Sequence, residues 1–253
     1  MKRRVIVTRP AREAQRGVAA LQAAGHDAVA LPLIAIEPLP DTTALRRARE
    51  RMADWSALMF VSAAAVEHYL AGGSGQGAPR CWATGPGTVR ALRGAGVPDD
   101  RIDAPAPGAA QFDSEALWAG VRPQVAPGTR VLIVRGGDAT GRPTGRDWLA
   151  REIEAAGGTV DTVVAYRRLA PVFGPAEQRL ASAAADDGTL WLFSSAEAIA
   201  NLCRAMPGQR WASALAIATH PRIAEAARAA GFGTVRLAAP GPSALAASIE
   251  SFE

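Results

Sequence analysis

Along this chain, short apolar runs alternate with stretches whose apolar residues recur every three or four positions. The runs are VIVT (5–8), LMFV (58–61), CWAT (81–84), VLIV (131–134), LWLF (190–193) and LAIAT (215–219). Runs of four or five residues, apolar throughout or ending in Thr, suit a strand covered on both faces better than a helix. Each run passes through a Gly, Ser, Thr or Pro joint into a helical pattern. After VIVT, for example, Ala14, Val18 and Leu21 fall at i, i+4 and i+7 on one face. The same spacing predicts helices over 63–70, 86–94, 143–156, 195–204 and 221–230. Strands that alternate with helices in this way predict an α/β fold with parallel sheets and helices on both faces.

The units also repeat. VIVTRP resembles VLIVRG at an offset of 126, and LQAAGHDAV resembles IEAAGGTVD at 132. LMFVSAAAVEHYL resembles LWLFSSAEAIANLC at 133, and CWATGPGTVRALRGAGV resembles AIATHPRIAEAARAAGF at 135. A duplicated set of three βα units is the expected origin, each set the size of a small flavodoxin-like, doubly wound domain. PLIAIEPLP (32–40) and YRRLAPVFGP (166–175) lack helical periodicity and carry prolines, which suit linkers and edge strands. Read as two crossings, they make the lobes discontinuous: 1–33 plus 174–253 in one, 41–164 in the other, with 34–40 and 165–173 as a two-stranded linker. The same stretches also fit loops inside two contiguous domains.

Composition narrows the classes. The 253 residues, 49% hydrophobic and 21% charged, are enough for one large domain or two small ones. No apolar stretch reaches the roughly 18 residues of a membrane span, so no membrane partner is expected. MKRRVIVTRP has only a three-residue apolar run, too short for a signal peptide, and a cytoplasmic protein is expected. The net charge is +4, and Lys2 is the only lysine. The arginines are scattered and form no stripe with interleaved aromatics, which argues against nucleic acid while allowing an acidic small molecule. Cys81 and Cys203 lie in apolar segments without a CxxC or Cys/His cluster, so buried thiols and no metal site are expected.

In doubly wound sheets ligands bind beyond the carboxyl ends of the strands, where the joints lie. Ser62, Thr84, Thr88, Ser194 and Ser195 either cap their helices or leave helix N–H groups for an anion. GPGTVR (85–90) and RGGDATGR (135–142) fall short of dinucleotide and phosphate-loop motifs, and no nucleophile elbow is present. No cofactor is expected. His26 and His68 read as surface residues, and His220 lies at a joint. Tyr166, followed by Arg167 and Arg168, opens the second crossing, where a phenol has a proton to offer.

Taken in order and spacing, VTRP, LPLIAIEP, FVSAAAVEHY, TGPGTVRALRGAG, VLIVRGGDATGRPTGRDWLAREIEAAGGTVDTVVAYRR, FSSAEAIANL and HPRIAEAARAAGF resemble the uroporphyrinogen-III synthase family over almost the whole chain. The resemblance implies two flavodoxin-like lobes joined by a two-stranded linker, with the active site in a cleft. It implies cofactor-free cyclisation of hydroxymethylbilane, a polycarboxylate, to uroporphyrinogen III, with ring D inverted through a spirocyclic intermediate and water released. Tyr166 matches the family's cleft tyrosine, expected to assist departure of the hydroxyl. Ser62, Ala63, Thr84, Gly85, Thr88 and Gly136 in one lobe, and Ser194, Ser195 and Ala196 in the other, match substrate-binding positions. Arg9 and Arg135 match strand-end arginines that pair either with substrate carboxylates or with partners at the rim of the core. At 217–222 the sequence IATHPR departs from the family's Gly and Thr, which leaves His220, Arg222 and backbone N–H as alternatives. A monomer is expected. A competing class is a non-catalytic two-lobe sensor or binding protein for an acidic small molecule, and another is a nucleotide-dependent enzyme on the same fold.

Overall fold

The fold is that of a computed structural model, which describes residues 3–106, 108–109, 111–238 and 242–252. In chain order, β1 (Val5–Val7), α1 (Ala11–Ala23), β2 (Ala28–Ala30) and β3 (Ala35–Glu37) are followed by α2 (Thr43–Glu50), β4 (Ala57–Phe60) and α3 (Ala63–Tyr69). Next come β5 (Arg80–Ala83), α4 (Pro86–Gly94), β6 (Ile102–Asp103), α5 (Ser114–Val121), β7 (Arg130–Gly137), α6 (Trp148–Ala155) and β8 (Thr159–Leu169). The chain ends with α7 (Pro175–Ala183), β9 (Leu190–Phe193), α8 (Ala196–Ala205), β10 (Leu215–Ala218), α9 (Pro221–Ala229), β11 (Thr234–Leu237) and α10 (Pro242–Glu250). It divides into two compact units, 1–35 with 169–253, and 36–168.

The first unit holds a parallel sheet in the order β11–β10–β9–β1–β2. This is the doubly wound order, with the winding reversing between β1 and β9. On one face Val5, Val7, Leu190, Leu192 and Ile217 pack with Ala14 and Leu21 of α1 and with Ile249 of α10. On the other, Trp191 and Phe193 meet Trp211 and Phe232, with Trp211 and Phe232 stacked 5.3 Å apart. Every residue of β1 and β9 is buried, as the apolar runs predict for strands covered on both sides.

The second unit has the order β3–β8–β7–β4–β5–β6. Leu58, Phe60, Leu132 and Val134 face Ala65, Val66 and Tyr69 of α3 and Leu92 of α4. Met59, Trp82, Val131 and Ile133 face Leu117 and Val121 of α5 and Leu149 and Ile153 of α6.

With β3 set aside, the two sheets have the same spatial order. Their registers reproduce the sequence offsets. Val5 pairs with Ala28 and Leu190, while Val131, 126 residues on, pairs with Val160 and Ala57. Ala28 and Val160 are 132 apart, and Ala57 and Leu190 are 133 apart. Leu215 pairs with Leu190 as Arg80 pairs with Ala57, which gives 135. The repeated text therefore occupies equivalent places in two sheets.

The helix ends repeat too. Gly25, Gly96, Gly157 and Gly231 each have a positive φ, between 82° and 93°. The next residue's N–H returns to a carbonyl five positions back: His26 to Leu21, Val97 to Leu92, Gly158 to Ile153 and Phe232 to Ala227. This turn folds the following side chain inward, and Val97 and Phe232 are both 4% exposed. His26 occupies the same place and is 6% exposed, so its expected surface position is corrected. The helix predicted over 143–156 is also shorter and begins at Trp148. Pro143 instead bridges Gly137, and Gly145 takes φ +111°.

Candidate active site

In the second unit β4 ends at Phe60, and Ser62 opens α3. Ser62 Oγ accepts the Ala65 N–H at 3.1 Å, so this serine caps its own helix. The same oxygen lies 3.0 Å from Tyr166 Oη, although the two residues are 104 apart in sequence.

A β-bulge brings the phenol there. Arg135 of β7 pairs with Val164 of β8, but the next residue, Gly136, pairs with Tyr166. Ala165 is thus the extra residue. Val163 and Ala165 face the cluster around Phe60. Strict alternation would turn Tyr166 to the opposite face, whereas the bulge turns it to the same one. Tyr166 is 1% exposed. Its ring lies against Gly136, where an added Cβ would come within 2.7 Å of two ring carbons. The His68 ring stands 5.6 Å away, tilted by 33°. His68 is half-buried beside the phenol, which corrects its expected place on the surface. The other tyrosine, Tyr69, donates to the Ala48 carbonyl at 3.0 Å, and burial pushes its phenol up to about 12. It is held in the core.

Other expected residues separate from this pair. Arg135 is 6% exposed and shares its side of the sheet with Val131 and Ile133. It donates to Asp147 Oδ1 at 3.0 Å and to the Arg146 carbonyl at 3.2 Å. The rim pairing, not a place beside Ser62 and Tyr166, is the one the structure gives it. Thr84 donates to the Val61 carbonyl at 3.3 Å, tying β5's exit to that of β4. Thr88 is buried, and its N–H goes to the Gly85 carbonyl at 3.0 Å. Gly85 begins α4 and has no side chain to cap it, and Phe112 Cβ lies 3.3 Å from where its Cβ would be. Ala63 is buried at the start of α3.

In the first unit the expected residues lie at the carboxyl ends of three neighbouring strands. Arg9 is exposed just past β1. Ser194 and Ser195 are half-buried past β9, and exposed Ala196 opens α8. Ser195 sits at the cap position but its side chain makes no cap hydrogen bond. Past β10, His220 Nδ1 accepts the Arg222 N–H at 3.2 Å and caps α9. An imidazole that accepts at Nδ1 carries its proton on Nε2 when neutral. The Arg222 backbone N–H is therefore occupied, while its side chain is exposed.

The joints thus fall into two kinds. Ser62 and His220 fill the first turns of α3 and α9, while Gly85 and Ser195 leave those of α4 and α8 without a side-chain cap. The first kind fixes hydroxyl and imidazole groups in place, and the second offers N–H groups to an anion. Sequence reasoning missed the bulge, His68 and Thr8. The buried Thr8 hydroxyl donates to the Leu192 carbonyl at 2.7 Å and ties β1 to β9. Only a threonine ending an apolar run pointed to Thr8, and nothing in the text marks a bulge.

The fold is similar to that of uroporphyrinogen-III synthetase from Helicobacter pylori, with a TM-score of 0.60 and 15% identity over 100% of both chains. It is also similar to a mutant uroporphyrinogen III synthase from the extremely thermophilic bacterium Thermus thermophilus, with a TM-score of 0.56 and 18% identity over 99% of each chain. The family model described as Uroporphyrinogen-III synthase HemD matches residues 15–247, nearly the full length. The chain belongs to the uroporphyrinogen-III synthase family.

Proposed function

We infer that Tyr166 supplies the proton on which this chain's reaction turns. As a member of its family the chain cyclises hydroxymethylbilane to uroporphyrinogen III, inverting ring D and releasing water. The hydroxyl to be lost is a poor leaving group until it is protonated. A positioned acid typically contributes about 10²–10⁴-fold to such a step. The observation that carries the reading is the hydroxyl pair, with Tyr166 Oη 3.0 Å from Ser62 Oγ at the carboxyl end of β4. The bulge at Ala165 and the glycine at 136 hold the phenol against that joint.

Binding of the polycarboxylate is assigned to the strand ends. The uncapped first turn of α8 at Ser195 and Ala196 offers backbone N–H groups to acetate and propionate side chains, and that of α4, which opens on Pro86 and turns the Thr88 N–H back to Gly85, offers the Gly87 N–H. Each such contact contributes about 0.3–1 kcal/mol, more when partly buried. Arg9 past β1 and Arg222 past β10, exposed on either side of the β9 strand end, add guanidinium partners, and the Nε2 side of His220 adds a donor. The bilane closes unaided to the symmetric isomer, so the protein's contribution is largely to hold one geometry in which ring D inverts. The proposed working unit is a single chain in the cytoplasm.

Replacing Tyr166 with Phe tests the acid directly. The fold should persist, and formation of uroporphyrinogen III should fall on the order of 10²-fold or more. Unchanged turnover in that variant would remove Tyr166 from the reaction.

A further inference from the structure

The direction of the hydrogen bond between Tyr166 and Ser62 carries more than the identity of the acid. A buried phenol hydroxyl left without an acceptor costs about 1–3 kcal/mol. Tyr166 is 1% exposed, and Ser62 Oγ is the acceptor the structure places within reach, at 3.0 Å. The 3.0 Å contact fits either donor, and the direction that satisfies the buried phenol has Tyr166 donating and Ser62 accepting. Ser62 Oγ also accepts the Ala65 N–H at 3.1 Å. A hydroxyl oxygen has two lone pairs and one proton. Both lone pairs of Ser62 are then engaged, and its own proton must point away from Tyr166 and from α3. Ser62 is also the more exposed member of the pair, half-buried where Tyr166 is buried.

We propose that Ser62 is the group that touches the leaving hydroxyl and that the proton of Tyr166 reaches it through Ser62. The inference rests on the reading of Tyr166 as the acid and changes its route. When the hydroxymethyl C–O bond breaks, the departing oxygen takes the serine proton and leaves as water. Ser62 takes the phenol proton in the same step, and Tyr166 is left as phenolate. Closure of the macrocycle forms a carbon–carbon bond at a pyrrole carbon, which then loses a proton. That proton returns to the phenolate, and the sum is loss of one water. Two donors into Ser62 Oγ polarise its hydroxyl, since hydrogen bonds in a chain strengthen one another. The cap bond from Ala65 fixes where the serine proton points. Ser62 is thereby a proton-transfer group and not one of the carboxylate ligands.

A double-mutant cycle on the full-length protein decides the matter, with hydroxymethylbilane as substrate and the uroporphyrinogen isomers resolved. Ser62→Ala should lower kcat for isomer III by on the order of 10²-fold, as Tyr166→Phe does, with KM little changed. The double variant should be no worse than either single one, because a relay is lost once. Ser62→Thr, which keeps the hydroxyl and the cap, should recover most of the turnover. Thermal unfolding of each variant separates loss of the cap from loss of the relay. If Ser62→Ala raises KM and spares kcat, Ser62 is a ligand for a carboxylate and the relay is wrong. If Tyr166→Phe slows the reaction while Ser62→Ala does not, the phenol donates directly and the relay is wrong. If losses from the two substitutions multiply in the double variant, they act independently and the relay is again wrong. If Tyr166→Phe alone is without effect, the acid assignment itself fails, which is a distinct result.

Discussion

One residue, Ala165, decides which way Tyr166 faces. Tyr166 was legible in the sequence as one of two tyrosines, placed where an apolar run gives way to a proline-punctuated crossing. Its partner Ser62 was legible as a helix start. That the two touch was not, because the contact depends on how β8 pairs with β7, and a bulge leaves no residue-type signature. Arg135 shows the opposite case. Its place at a strand end fitted both a ligand and a rim pair, and only its bond to Asp147 separates them. His26 is polar and yet buried, because its turn buries whatever residue follows the glycine. The contact at Gly136 gives a residue-scale prediction. Gly136→Ala places a methyl 2.7 Å from the Tyr166 ring, so the ring must shift. Overpacking of this kind costs about 1–3 kcal/mol, and the displaced phenol should lose its bond to Ser62. A lower melting temperature together with reduced formation of isomer III is expected, and an unchanged melting temperature would contradict the contact.

At the scale of elements, the starts of the six predicted strands were legible to within a residue, because a short apolar run has few ways to be buried on both faces, while β7 runs on three residues past its apolar run to Gly137. The helix over 143–156 was read too long, since apolar spacing continued through Pro143 and Gly145, whose backbone preferences end it. The strands β2, β6 and β11 match none of the apolar runs because their short pieces lie half-exposed or exposed at sheet edges, whereas β3 falls within the 34–40 linker strand. Caps distinguish joints that the sequence makes look alike. Ser62→Ala removes a cap bond worth about 1 kcal/mol and also leaves the buried Tyr166 phenol without its acceptor, about 1–3 kcal/mol more, whereas Ser195→Ala removes neither and should stay within about 0.5 kcal/mol. Denaturant unfolding of the two variants checks the difference. The core helix α3 also carries a pH dependence. Burial holds the Tyr69 phenol at about 12 against 10.0, so the folded chain keeps a proton that the unfolded chain gives up. Its stabilising contribution is complete below pH 10 and is lost as pH rises from 10 towards 12. Cys81, raised from 9.0 to about 12, acts in the same sense from a lower pH. Tyr69→Phe should flatten the alkaline fall in melting temperature but leave the slope due to Cys81, with turnover at neutral pH retained.

At the scale of the whole molecule, the repeat was the most legible feature. Offsets of 126, 132, 133 and 135 read from text reappear as strand registers in two sheets of the same order. Sequence similarity survives here because each strand, joint and helix end repeats its own physical requirements: two-sided burial, an opened helix start, a glycine that turns the chain back. What the duplication does not repeat is the chemistry. The place of Ser62 in the second unit is taken by Ser195 in the first, yet Ser62 caps its helix and meets a phenol while Ser195 does neither through its side chain. One copy thus carries the hydroxyl pair and the other keeps an uncapped helix start. This chain directs a closure that water alone carries out without inversion. Hydroxymethylbilane generated in situ and incubated with the purified protein, with the oxidised products separated by isomer, tests it most directly. Uroporphyrin III should dominate with protein present and isomer I without it. A product mixture of isomer I alone, unchanged by the protein, would contradict the account.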